Sequence, residues 1–397
     1  MSQASWTRFL YRRGVPLWRD VVVLQWVAQI ASAIAVVGFV VFFIGNVLEA
    51  AESRGLGLGY DFLGDAAGFP LPETALEYDP SRPFGYAFLI GLLHTLRVAM
   101  VGIVLATLVG VVIALARLST NWLVSKLAGT YIEIIRNVPL AVQLFFWYFA
   151  VFQQLPSVQE SLALPGPVYL SQRGLYTVWV EPTGTFGTWM IFVAAAVILF
   201  VVLHRVLIRH QLHTGRSTYP VATSLAVLVA LPVLGWLVVG ANPLQKTVPE
   251  LGRFNFVGGL TLTPEFAALL AGLVIYTGAF IAEVVRAGIQ AVSKGQFEAA
   301  RALGLSSLSV LRLVVIPQAL RIIIPPLISQ YLNLAKNSSL AVLVGYPDLF
   351  FVGKTTINQA GRAVPVFVLM MACYLAISLV TSAIMNVYNR RVRLVER

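Results

Sequence analysis

Residues Val98–Ala116 read VAMVGIVLATLVGVVIALA, and no position in this run carries a charge. Wound as a helix rising about 1.5 Å per residue, the run reaches roughly 28 Å, close to the thickness of a bilayer's hydrocarbon core. The rest of the chain has the same character: 58% of its 397 residues are hydrophobic and only 11% are charged. A soluble domain carries about 25% charged residues to cover its surface. The solvent of this chain must therefore be lipid. Its net charge of +11 would suggest nucleic acid in a soluble protein, but here basic loops that fix membrane topology explain it, and no nucleic-acid partner is expected. The single cysteine, Cys373, lies in an apolar run and reads as a small buried side chain.

Eight stretches are long and apolar enough to span, near 22–45, 88–116, 138–155, 188–208, 220–240, 264–285, 323–345 and 364–387. The first has too long an apolar run for a cleaved signal and reads as a retained helix. Eight spans put both termini on one side. With both termini cytoplasmic, the inner segments hold 19 basic residues, among them Lys126 and Arg136, and the outer segments seven. The loop 46–87 is acidic, as an outer loop should be. An all-α membrane bundle with cytoplasmic ends is the expectation.

The most informative polar stretch follows the sixth span: Ser293-Lys294-Gly295-Gln296-Phe297-Glu298-Ala299-Ala300-Arg301-Ala302-Leu303-Gly304. Ser293 and Gln296 have capping-box spacing, Glu298 to Leu303 favours helix, and Gly304 suits a left-handed C-terminal position. A second helix begins around Ser306 or Ser307 and runs toward Pro317. The first helix is too short and polar to cross a bilayer, so it should lie along the inner surface with Phe297 pointing outward. Such a helix is either an ordinary amphipathic surface element or a place where a cytoplasmic partner docks.

Here the chain resembles a family. Glu298-Ala299-Ala300, Gly304, Val314, Ile316 and Pro317 match the EAA signature of ABC importer permeases, with valine and isoleucine at two aliphatic positions of the pattern. Gly91 to Leu96, Tyr131 to Leu140, Lys336 to Leu340 and Gly345 to Leu349 are similar to further blocks of the polar amino-acid branch. The extra first helix and the long insertion resemble the general L-amino-acid permeases. The resemblance implies a type I importer permease fold in a bacterial inner membrane. It also implies a cytoplasmic ABC ATPase dimer, a second permease subunit, homologous or identical, and a periplasmic amino-acid-binding protein. Phe297, Glu298, Ala299, Ala300 and Gly304 would then couple to the ATPase. The organisation expected is 1–87 (tail, first helix, outer loop), 88–387 (permease domain, with an insertion at about 156–263) and 388–397 (basic tail).

No cofactor is expected in this chain, ATP and Mg²⁺ being bound by the partner. Gly353-Lys354-Thr355 imitates the end of a P-loop, but Asp348 stands where its first glycine must be. Gly55, Gly57 and Gly59 read as a flexible loop. The His and Cys residues show no metal-like spacing.

Two cations fall inside spans, Arg97 and Lys336. Either can meet a substrate carboxylate, or else pair with carbonyls, or snorkel in the case of Arg97. Thr95, Asn333 and Asn337 are adjacent hydrogen-bonding candidates for the path, or polar glue between helices. Glu283 and Arg286, spaced i,i+3, should pair with each other, and a gate contact is the alternative. An ion-coupled secondary transporter is the rival reading. It would need an acid within the membrane, whereas Glu265 and Glu283 lie at span ends. A membrane enzyme would need a reactive cluster that the sequence does not display.

Overall fold

The structure is a computed structural model that describes residues 11–12, 15–16, 18–53, 57–72 and 76–392. Arg8 and Arg13 of the basic N-terminal tail, and the end of the C-terminal tail from 393, lie outside the described residues. The helices are α1 (Val21–Ser53), α2 (Phe84–Arg117), α3 (Trp122–Asn137), α4 (Leu140–Phe145), α5 (Phe186–Thr214), α6 (Pro220–Val239), α7 (Pro264–Gln290), α8 (Lys294–Ala302), α9 (Ser307–Val310), α10 (Ile316–Asn337), α11 (Leu349–Ala360) and α12 (Ala363–Val392). Among the described residues seven helical runs are long and apolar enough to span, and an eighth forms if the bent pair α3–α4 counts as one.

The core is built on α2 and α7, joined by α10, α11 and α12. Helices in lipid gain little from apolar burial and associate through close packing, so small residues mark their contacts. Gly110 of α2 faces the Ile281 side chain and the Gly278 carbonyl of α7, and Gly278 in turn faces Val109. Gly102 lies against Leu334 of α10 in the same way.

Two expected spans need correction. The third was placed at 138–155 behind an inner loop carrying Lys126 and Arg136. That supposed loop is helix α3, capped by Asn121, whose side chain accepts from the N–H groups of Leu123 and Val124. The chain then turns by 106° into α4. Pro139 explains the turn, because it forces the preceding Val138 out of helical geometry (φ −94°, ψ 128°). The seventh span, placed at 323–345, begins much earlier: α9, a π-turn at Leu311–Val315, α10 and a 3₁₀ turn form one run from Ser307 to Leu343. Pro317 does not end this helix. It sits in the first turn after the π-turn, where a missing N–H is tolerated.

The Gly57–Gly59 segment is packed, which corrects its reading as flexible; Gly55 lies outside the described residues. A Cβ on Gly57 would overlap the Arg362 guanidinium, which pairs with Asp61 at 3.8 Å. Phe62, Phe69 and Leu71 are buried with Phe84, Val352, Val366 and Met370. The loop thus caps one end of α2, α11 and α12. Gly353 lies within α11 with Met370 against it, a helical setting unlike a phosphate-binding loop.

In the insertion, Leu260–Leu262, Gly174–Thr177, Val168–Ser171 and Leu162–Leu164 form an antiparallel sheet in that order. The ribbon Trp179–Pro182 with Leu244–Thr247 leads to the hairpin α5–α6. Those two helices pack chiefly on each other, with Gly235 making room for the Phe192 ring and Trp189 Nε1 donating to the Pro232 carbonyl at 2.9 Å.

Candidate functional site

Helix α8 begins where Ser293 turns extended (φ −62°, ψ 142°), but the expected capping box does not form. The Ser293 side chain makes no cap bond, and Gln296 instead meets Gln318 of α10 across 3.3 Å. The helix end is as expected. Gly304 is left-handed (φ +76°), its N–H bonds to the Arg301 carbonyl at 2.9 Å, and the Leu305 N–H bonds to the Ala300 carbonyl at 3.3 Å. That pair of bonds is a Schellman motif, which satisfies carbonyls that a helix end leaves open.

The motif fixes which face of α8 is free. Ala300 is buried, and Phe297, one turn earlier, is half-buried against the same core as Leu305. Phe297 therefore points inward, not outward, because three apolar residues on one face gain more from the core than from water. Glu298, Ala299, Arg301 and Ala302 are exposed. So are Leu303 at 81% and Leu308 at 75%, the most exposed large apolar side chains at this knuckle and ones that sequence reading passed over.

The candidate path residues separate into different places. Asn333 and Asn337 line one polar cavity of about 280 Å³ with Gln330, Tyr276, Thr277 and Phe280. Lys336 does not join them. It is exposed and lines a second, mostly apolar cavity of about 670 Å³ with Phe350, Phe367, Met371 and Tyr374. On a helix, positions 333 and 337 share a face that 336 leaves by most of a right angle. Arg97 stands over the Phe266 ring at 4.4 Å from its centroid. Thr95 is fully buried and accepts the Leu349 N–H at 3.1 Å, a structural bond at the start of α11. Glu283 and Arg286 do pair, at 2.7 Å, and Arg286 also donates to Gln290 at 2.7 Å.

Sequence reading missed two groups. Asp348, read from the sequence as a mismatch to a P-loop glycine, is fully buried as the N-cap of α11, accepting from the Phe351 N–H at 2.9 Å and the Tyr374 hydroxyl at 3.0 Å. Such an acid is what an ion-coupled carrier would use, but here its oxygens are occupied in holding α11 against α12. Arg136, counted as a topology charge, lies 5.0 Å from the centroid of Phe280 on the cavity wall. Among the described residues no three His, Cys, Asp or Glu side chains gather as a metal site.

The family described as binding-protein-dependent transport system inner membrane component matches residues 214–394. Over 379 residues the chain is 46% identical to the putative amino-acid ABC transporter permease protein YhdX of Escherichia coli, covering 94% of this chain and 95% of that protein. It is 44% identical to the general L-amino acid transport system permease protein AapQ of Rhizobium johnstonii, covering 93% and 92%. It is 35% identical to the glutamate/glutamine/aspartate/asparagine transport system permease protein BztB of Rhodobacter capsulatus, covering 93% of each. Among solved structures it is similar to an amino acid ABC transporter with histidines, at 23% identity, a TM-score of 0.47, and 78% and 95% coverage. With its apolar spans, exposed α8 knuckle and near-full-length relatives, the chain belongs to the binding-protein-dependent inner-membrane transport components, as a multi-pass permease of the amino-acid ABC importers.

Proposed function

We propose that this permease carries polar and other L-amino acids inward, drawing energy from a cytoplasmic ATPase dimer docked on α8 and receiving substrate from a periplasmic binding protein. A second permease, identical or homologous, completes the path. The substrate range follows the names of AapQ and BztB, which share more than a third of their aligned residues with this chain. ATP and Mg²⁺ belong to the partner. Both termini, and the end of the bundle bearing α8, face the cytoplasm. The segment 88–387 is the permease domain, 1–87 and 388–397 are its flanks, and 156–263 is an addition to it.

The observation that carries this reading is the α8 knuckle. Leu303 projects at 81% exposure beside Glu298, Ala299 and the left-handed Gly304, at the tip of a helix anchored from behind by Phe297 and Ala300. A large apolar side chain held out by a rigid turn fits an anchor for a pocket on a partner. Leu303 thus takes the docking role first given to Phe297, with Glu298, Ala299 and Gly304 around it. The contribution of Ala300 is to seat the helix.

The test is a pull-down of the chain in mild detergent from its native host, with uptake measured in vesicles with and without the binding protein. Co-purification of an ATPase that crosslinks to a cysteine at position 303, together with binding-protein-dependent uptake, is expected. Uptake that follows a proton gradient with no ATPase bound would refute the proposal.

A further inference from the structure

Arg136 lies on a helix beside the middle of α7, and not in a loop between spans where a topology-setting charge belongs. Helix α3 is fastened to α7 near its midpoint, where the Tyr131 hydroxyl donates to the Ile275 carbonyl at 2.8 Å. One turn on, the Arg136 guanidinium lies over Phe280, also in the middle third of the Pro264–Gln290 helix. A charged side chain at mid-bilayer costs about 2.5–3.5 kcal/mol on insertion scales, and so faces protein or water. Among the described residues no carboxylate pairs with this guanidinium, whereas Arg286 pairs with Glu283 and Arg362 with Asp61. Glu133, one turn back on the same helix, forms no bridge to it. The contact it makes is with the face of an aromatic ring, which tolerates a cation without neutralising it.

Phe280 also lines the cavity of Tyr276, Thr277, Gln330, Asn333 and Asn337. The residues lining that cavity offer neutral donors and acceptors and no acid, and the Arg136 guanidinium packs on Phe280, one of its wall residues, without lining the cavity itself. An anionic group suits this field, and a guanidinium fits a carboxylate with paired N–H donors. Neither cation favoured from the sequence has this placement, since Arg97 stacks on Phe266 and Lys336 lines the apolar cavity. We propose that Arg136 binds the α-carboxylate of an amino acid held between α7 and α10, with Asn333 and Asn337 holding its polar remainder. This rests on the importer reading above and adds where the substrate is grasped. Arg136 is exposed on this chain, so a ligand has access to its guanidinium.

The experiment uses the assembled permease–ATPase complex without binding protein, so that the binding protein's own selectivity does not enter. Each of the twenty L-amino acids is added in turn, alongside the amine that lacks its carboxylate, and the melting temperature is read. At least one amino acid should raise the melting temperature of the wild type, and its amine should not. In Arg136→Gln the midpoint for that amino acid should move to roughly 10- to 100-fold higher concentration, the loss expected for one charge-assisted contact. Arg136→Lys keeps the charge and should retain part of the effect, which separates a lost ligand contact from a folding defect; the melting temperature without ligand checks both variants. An unaltered midpoint in Arg136→Gln, equal stabilisation by the amine, or a wild type indifferent to all twenty overturns the proposal. A complex that still imports amino acids with binding protein and ATP in any of these cases leaves the importer reading standing.

Discussion

The Tyr374 hydroxyl donates to Oδ2 of Asp348 across 3.0 Å, and this bond ties α12 to the first turn of α11. Asp348 Oδ1 takes the Phe351 N–H, and the neighbouring Leu349 N–H goes to Thr95 of α2. Three helices are therefore pinned at one buried point. His94 Nδ1 lies 2.9 Å from the Pro347 carbonyl in the same place, so the loop into α11 is held on both sides.

Removing the hydroxyl should loosen that point without opening a cavity. Tyr374→Phe leaves Asp348 with one donor fewer in a buried setting, a loss of about 1–3 kcal/mol. Thr95→Val, which is nearly isosteric, should cost a similar amount by stranding the Leu349 N–H. Both are read as lowered midpoints in thermal unfolding of the solubilised chain. Midpoints equal to wild type would show that the three-helix junction is not under tension from these bonds.

Phe297 and Leu303 should part company when each is changed. Phe297→Ala removes a half-buried ring from the core and is expected to lower stability by about 1–3 kcal/mol, less than a fully buried phenylalanine costs. Leu303→Asp touches nothing inside the chain. It should leave the melting temperature within about a degree of wild type while abolishing ATPase co-purification. Loss of ATPase with Phe297→Ala at unchanged stability, and none with Leu303→Asp, would return the docking role to the phenylalanine.

Gly304 can be probed through its backbone alone, because a Cβ there meets nothing within 4 Å. Its φ of +76° is the sole obstacle to a side chain. The left-handed conformation costs an ordinary L-residue about 1–2 kcal/mol, and asparagine less. Gly304→Asn should therefore keep most of the uptake rate, and Gly304→Val should lose most of it as the Schellman turn gives way. Gly304→Asp adds a charge where the partner approaches, so it should uncouple uptake from ATP hydrolysis with the chain still in the membrane. Equal uptake in all three variants would remove the turn from the coupling argument.

The spans of α1, α2, α5, α6, α7 and α12 were legible because apolar runs of 20 residues or more have few other uses. The α3–α4 turn was not, since Lys126, Glu133 and Arg136 give that helix the composition of a surface element. Its bond to Ile275, the Arg136 contact with Phe280 and the burial of Ile132 show that it runs beside the bundle. The Pro139 signal was present, but a proline after a polar segment also reads as the start of a span. The orientation of α8 was miscast for a related reason. Phe297 and Ala300 share a face at i,i+3 spacing, and on a nine-residue helix that spacing says which residues lie together, not which side is covered. The cavity residues Asn333 and Asn337 were found as polar neighbours of Lys336 in the sequence, although Lys336 itself lines the other cavity. Arg136 was missed because pairing it with Phe280 needs a contact across 144 positions of sequence, which hydropathy does not carry.

The hairpin α5–α6 should be removable. Its two ends are already stitched together: the Thr183 N–H bonds to the Pro243 carbonyl at 3.0 Å, and the Thr183 hydroxyl donates to the Asn242 carbonyl at 2.7 Å. Directly below, Pro182 lies opposite Leu244 in the antiparallel ribbon. Replacing residues 183–243 by Asn-Gly would close that ribbon with a two-residue turn whose backbone suits the twist of paired strands. Little else is lost, because the two helices are mostly exposed and spend their packing on each other, as Trp189 on Pro232 and Phe192 on Gly235 show. Both helices are excised together, so the sidedness of α7 and everything after it is preserved. The shortened chain should insert, keep a melting temperature within a few degrees of the parent, and still bind the ATPase. If it is degraded or loses the partner, the hairpin braces the bundle from outside, and 156–263 must then be counted as part of the working core.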